Sequence, residues 1–175
     1  AFITGAEQGI GKESAKKLIE AGCDIYIHYF SGEEGPRELM ALAEQQGCRA
    51  ACGFADLTDE EDAARCVAQA AEFLGGIDIL INNVGGIIAR KWLGEIEPHF
   101  WRTVIDVNMT TMLNVTQQAL PWLKAAPDGA SIVNLASLAG RSGGHAGSLV
   151  YSTTKGAVLT WTRSLAAELG EHGIR

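Results

Sequence analysis

Short apolar runs alternate along this chain with segments whose apolar residues recur every three or four positions. Residues 1–4 read as the end of a buried strand, and residues 12–21, with Ala15, Leu18 and Ile19 on one side, read as a helix. The alternation then repeats. A turn and second strand fall over residues 22–30, a loop over 31–36 and a second helix over 37–46. Residues 49–56 read as a third strand, and a helix starting at Leu57-Thr58-Asp59 runs to about Leu74. Residues 77–81 are a fourth strand, compact and apolar throughout. Residues 96–124 hold one long helical pattern, interrupted by Pro98 and ended by Pro121 and Pro127. Residues 130–136 form a fifth strand that Ser137 terminates. Gly140, Gly143, Gly144 and Gly147 suggest a flexible loop before a last helix that carries Tyr151 and continues through Leu169.

Regular β-α alternation predicts a parallel, doubly wound sheet, Rossmann-like, in a three-layer α/β/α sandwich with ligands at the carboxyl ends of its strands. No repeat or linker divides the 175 residues, so residues 1–175 are read as a single domain. Apolar residues at 47% and charged residues at 20% fit a soluble globular protein. A net charge of −7 argues against a nucleic-acid partner, which would require a basic footprint. No apolar stretch reaches the ~20 residues of a membrane span. The chain opens inside a strand, so no signal peptide is expected and the location is read as cytoplasmic. Cys23, Cys48, Cys52 and Cys66 form no C-x-x-C pair, and the histidines form no ligand pattern. The cysteines read as small buried side chains in a reducing compartment, and no metal is expected.

The candidate chemistry begins at Gly5-Ala-Glu-Gln-Gly9-Ile-Gly11, between the first strand and helix. Glycines there admit a close backbone approach, and the helix start offers free N–H groups and a favourable dipole to a phosphate. A ribose discriminator belongs at the end of the second strand, where Tyr29 and Phe30 supply neither acid nor base. Glu7, Glu33 and Glu34 would repel a 2′-phosphate, whereas Ser31 would donate to one; local charge leans slightly to NAD over NADP. Asp56 either accepts from an adenine amino group or caps a helix. Asn82-Asn83-Val84-Gly85 suits a crevice where amides fasten neighbouring strands, or simply a turn. Asn108 falls mid-helix, where Asn has no local advantage. Tyr151 and Lys155, four apart on a helix, share a face, and an ammonium beside a phenol favours the phenolate needed for proton transfer.

In this order the motifs resemble the short-chain dehydrogenase/reductase family over essentially the whole chain. The family's T-G-x-x-x-G-x-G stands at Thr4–Gly11, its aspartate after strand three at Asp56, and its N-N-A-G at residues 82–85, with Val84 in place of Ala. The resemblance implies a catalytic set of Asn108, Ser137, Tyr151 and Lys155. It places cofactor contacts at Gly5, Glu7, Gln8, Gly9, Ile10, Gly11, Tyr29, Ser31, Asp56, Leu57, Asn83, Val84, Gly85, Tyr151 and Lys155. The implied activity is NAD(P)-dependent interconversion of a secondary alcohol and a carbonyl. Ser137 would hold the substrate oxygen, Tyr151 act as general acid or base, Lys155 bind the nicotinamide ribose, and Asn108 position a water. The substrate would be a 3-oxoacyl thioester or a sugar or keto-sugar acid, with Arg90 and Lys91 attracting a carboxylate. The rival readings are a regulator that binds nucleotide without catalysis and a structural subunit. A homotetramer or homodimer is implied, with Trp161, Leu165 and Leu169 forming a seam or facing the sheet.

Thirteen residues separate Ser137 from Tyr151, which suggests a small insertion relative to the family. The chain also lacks the leading half of strand one and the family's sequence beyond Gly173-Ile-Arg175, and so reads as a fragment. The expectation that follows is an unpaired sheet edge, exposed apolar faces, reduced stability and little or no turnover.

Overall fold

The computed structural model describes residues 1–175. Five parallel strands, β1 (Phe2–Ile3), β2 (Ile25–Tyr29), β3 (Ala50–Phe54), β4 (Ile79–Asn82) and β5 (Ser131–Asn134), lie in the order β3-β2-β1-β4-β5. Between and after them run α1 (Gly9–Glu20), α2 (Glu34–Gln45), α3 (Glu60–Leu74), α4 (Pro98–Ile105), α5 (Thr111–Ala125), α6 (Ala139–Ser142) and α7 (Leu149–Leu169). The arrangement is the doubly wound α/β/α sandwich that the alternation predicts.

Alternate strand side chains point to opposite faces, and the core divides accordingly. Ile3, Ile25 and Ile27 pack with Ala15, Ile19, Leu39 and Ala43 of α1 and α2. Phe2, Tyr26 and Leu80 pack on the other face with Val67 and Ala70 of α3 and with Val115, Ala119 and Leu123 of α5. Leu165 and Leu169 of α7 join this second cluster, so they face the sheet and do not form a free seam. None of the helices is long and apolar enough to cross a membrane.

Several boundaries depart from the sequence reading for local reasons. Helix α1 begins at Gly9, not Lys12; Gly9 enters it at φ +56°, a left-handed conformation that suits glycine, and Gly11 lies within the first turn. Helix α2 begins at Glu34, because a proline such as Pro36 is tolerated in a first turn whose N–H groups have no partner. The long pattern over residues 96–124 is a composite. Pro98 occupies the first turn of α4 and starts it, a π turn spans Asp106–Thr110, and α5 continues through Pro121 to Ala125. Pro121 lies on an exposed side of α5, as does Gln117, the residue whose carbonyl loses its helical donor to the proline. The glycine-rich segment before α7 is not simply a flexible loop. It holds α6, where a Cβ on Gly140 would strike the backbone of Lys155 and Gly156.

The outer side of β5 is only partly open. Arg175 N donates to Ala130 O at 3.0 Å and Ile132 N to Arg175 O at 2.9 Å. Further along, Val133 is 45% exposed.

Candidate active site

Strand order reverses between β1 and β4, and connections leave that point in opposite directions, opening a crevice at the carboxyl ends of the strands. A cleft of about 670 Å³ occupies it. Of the residues expected there, Gly5, Glu7, Gln8, Ile10, Asp56, Leu57, Asn83, Val84, Gly85, Tyr151 and Lys155 line it. Gly9, Gly11, Tyr29, Ser31, Asn108 and Ser137 are not on the lining.

One wall is the turn between β1 and α1. Gly5 takes φ +61°, and a Cβ on Gly11 would collide with Gly5 O. Asn83, just beyond β4, clamps the same turn: its Nδ2 donates to Thr4 O at 3.0 Å and Gly5 O at 2.7 Å. Thr4 Oγ1 in return accepts from Asn83 N at 3.0 Å and from Val84 N at 3.2 Å. The turn and the Asn-Asn segment are thus one rigid unit, with the first N–H groups of α1 left for a ligand.

At the rim, Glu7 Oε1 accepts from Ser31 Oγ at 3.3 Å and from Phe30 N at 3.5 Å. Its Oε2 is buried without a partner. Ser31 therefore serves Glu7, and Tyr29 donates its hydroxyl to Glu33 at 2.9 Å, away from the cleft. Asp56 accepts from Thr58 N and Thr58 Oγ1 at 3.0 and 2.7 Å, while the cap of α3 is Asp59. Asp56 is thus a turn-forming carboxylate on the cleft wall and not the helix cap.

The far wall comes from α7, β5 and the π turn. Lys155 is 5% exposed, donates from Nζ to Leu135 O at 2.6 Å, and has no carboxylate partner. Burial pushes its ammonium below the usual lysine range. Half-buried Tyr151 presents its ring 6.0 Å from that ammonium. Asn108 is 1% exposed in the π turn; its amide accepts from Gly86 N at 3.1 Å and donates to Gly86 O and Val104 O, each at 2.9 Å. A Cβ on Gly85 would lie 2.7 Å from Asn108 Oδ1 and 2.9 Å from Lys155 Nζ, so Asn108, behind the cleft wall, and Lys155, on its lining, both approach Gly85. Ser137 follows β5, one residue beyond cleft-lining Ala136, and its Oγ accepts from Ala139 N at 3.1 Å, leaving the O–H free to donate.

The sequence reading has the amides at 82 and 83 fastening neighbouring strands, but not the longer polar chain through Thr116, Asn134 and Thr162 that supports this wall. Asn82 Nδ2 donates to Thr116 Oγ1 at 3.0 Å and to Asn134 Oδ1 at 2.8 Å, and Asn134 Nδ2 donates to Thr162 Oγ1 at 3.0 Å. It also missed His28 and Ile88, which line the cleft, as does Phe30 of the expected discriminator position; a histidine within the apolar run of β2 was the one available signal. Arg90 and Lys91 do not line it. Arg90 donates to Ala146 O at 3.0 Å, and Lys91 lies 4.9 Å from the Phe100 ring centre. No three His, Cys, Asp or Glu side chains are grouped to hold a metal ion.

The model of the family described as "short chain dehydrogenase" matches residues 1–175. The chain is 35% identical over its full length to a cis-4-hydroxycyclohexanecarboxylate dehydrogenase of Sinomonas cyclohexanicum, of which it covers 69%. Other curated relatives are longer: the chain spans about 60% of two oxidoreductases of Bacillus subtilis. Among solved structures, NADH-dependent reductase A1-R′ complexed with NAD superposes with a TM-score of 0.94 at 30% identity, covering 99% of this chain and 74% of that one. A short chain dehydrogenase from Burkholderia cenocepacia J2315 in complex with NADP gives 0.92 at 32%, covering 99% and 69%.

Proposed function

The chain belongs to the short-chain dehydrogenase family, and from that premise we propose that it interconverts a secondary alcohol and a carbonyl with a nicotinamide dinucleotide, NAD in preference to NADP. The carrying observation is Tyr151 lining the cleft with the unpaired Lys155 ammonium 6.0 Å from its ring.

The residues present fit such a cofactor. The turn before α1 has no room for a side chain at Gly11, and its first helical N–H groups are free for a pyrophosphate. Gly85 leaves bare backbone beside Lys155 and Asn108, where a nicotinamide ribose would be held. The Glu7 carboxylate at the rim of the cleft would accept from ribose hydroxyls and repel a 2′-phosphate.

The bound nicotinamide supplies or takes the hydride. The protein's part is positioning and proton transfer. Tyr151 takes the alcohol proton in oxidation or gives one to the carbonyl oxygen in reduction. Lys155 provides positive charge beside that phenol and ribose hydroxyl contacts. Ser137 has its O–H free to orient the substrate oxygen, and Asn108 holds Gly86 and the adjoining backbone in place. Arg90 and Lys91 are engaged elsewhere, which leaves Lys155 as the cation on the lining.

The complete enzyme, given NADH or NADPH and a panel of cyclic ketones, 3-oxoacyl thioesters and keto-sugars, should oxidise NADH faster than NADPH with at least one class. Absence of turnover with every carbonyl and both cofactors would remove the proposal.

A further inference from the structure

His28 sits in the middle strand of the cofactor half, 1% exposed, and both ring nitrogens are bonded across elements. Gly5 N donates to its Nδ1 at 3.0 Å, and its Nε2 lies 2.9 Å from Ala55 O. A backbone N–H can only donate and a carbonyl can only accept, so the partners fix one neutral tautomer, with hydrogen on Nε2. The main chain of the same residue adds a third bond, Ala6 N to His28 O at 3.0 Å. Two consecutive N–H groups of the glycine turn are thus held by one residue. Its other end holds the last residue before Asp56.

Gly5, His28 and Ala55 all line the cleft. The imidazole therefore spans from the pyrophosphate turn to the wall that carries Asp56 and Leu57. We infer that His28 is a positioning residue for the cofactor: its imidazole ties the Gly5 turn to the end of β3 and so sets the separation of the two walls between which the adenosine half binds. Burial, which pushes the imidazole below the usual histidine range, keeps it in the neutral form this tie requires. Gly5 N, being committed to the ring, orients the turn and leaves anion binding to the N–H groups that follow it.

The inference rests on the dinucleotide reading above, and one set of variants separates the two. In the complete enzyme, His28→Asn keeps an acceptor at the position of Nδ1, His28→Gln keeps an amide at the position of Nε2, and His28→Leu keeps neither. The readouts are NADH affinity by fluorescence titration, KM for NADH against kcat at saturating NADH, and Tm. The expected order of affinity is native, then Asn, then Gln, then Leu, with Leu weaker than native by roughly ten-fold and kcat at saturation little changed. Equal loss in Asn and Leu, or native affinity in Leu, overturns the inference. A native enzyme that binds neither NADH nor NADPH overturns the dinucleotide reading itself.

Discussion

Lys155 Nζ is held by the carbonyl oxygen of Leu135 at 2.6 Å, a neutral partner for a buried charge. Its ammonium has therefore lost water without gaining a carboxylate, a cost that structure alone does not require. Lys155→Met should leave Tm unchanged or higher while turnover falls about 10²–10⁴-fold. Turnover within a few-fold of native would show that the ammonium has no part in the reaction.

Tyr151→Phe removes one oxygen from a half-buried ring and should leave cofactor affinity intact. Loss of kcat by about 10²–10⁴-fold with unchanged NADH binding is the expected pattern for a proton donor. Equal losses in binding and turnover would place the hydroxyl among binding groups instead.

Glu7→Gln preserves shape and removes charge beside Ser31. The ratio of kcat/KM for NADH to that for NADPH should fall about ten-fold, mainly through better use of NADPH. An unchanged ratio assigns the discrimination elsewhere.

Asn108→Leu strands Gly86 N, Gly86 O and Val104 O, which the amide now satisfies. Stability should fall by about 1–3 kcal/mol, read from urea midpoints, with a larger loss of activity as the segment after Gly85 shifts.

Much of this was legible from spacing alone. Tyr151 and Lys155 four apart on a helix, and glycines placed between an apolar strand and a helix, name their own geometry. The π turn at Asp106–Thr110, the helical Pro121 and the path from Thr116 through Asn82 and Asn134 to Thr162 were not legible. The π turn and the polar path depend on partners distant in sequence, Asn108 on Gly86 and Asn134 on Thr162, and the helical proline on which side of α5 is exposed. Boundaries failed for a related reason. Gly9 supplies the left-handed φ at which α1 starts, and Pro36 sits in a first turn whose N–H groups need no partner, so neither marks a loop. Ser31 drew notice as a ligand contact, whereas the structure gives its hydroxyl to Glu7.

His28 also sets a pH dependence. Burial lowers its folded-state value below the ordinary 6.5, with Glu7 and Asp56 opposing the shift. Protons then bind the unfolded chain first, so its contribution is complete above pH ~6.5 and is lost as pH falls from there towards the folded value, where the loss levels off. Urea unfolding between pH 7.5 and 5 should show this decline in native protein and a smaller one in His28→Asn. Identical slopes would exclude the ring.

The π turn between α4 and α5 adds one residue to what is otherwise continuous coiling, and one residue is worth about 100° of rotation. Trimming any single position from it would let the two segments fuse into a straight, better-bonded rod and would swing the amide at 108 off its glycine. The gain in helix bonding would be set against Gly86 N and Gly86 O, which the displaced amide would leave without a partner. The cleft would lose its back support in the exchange.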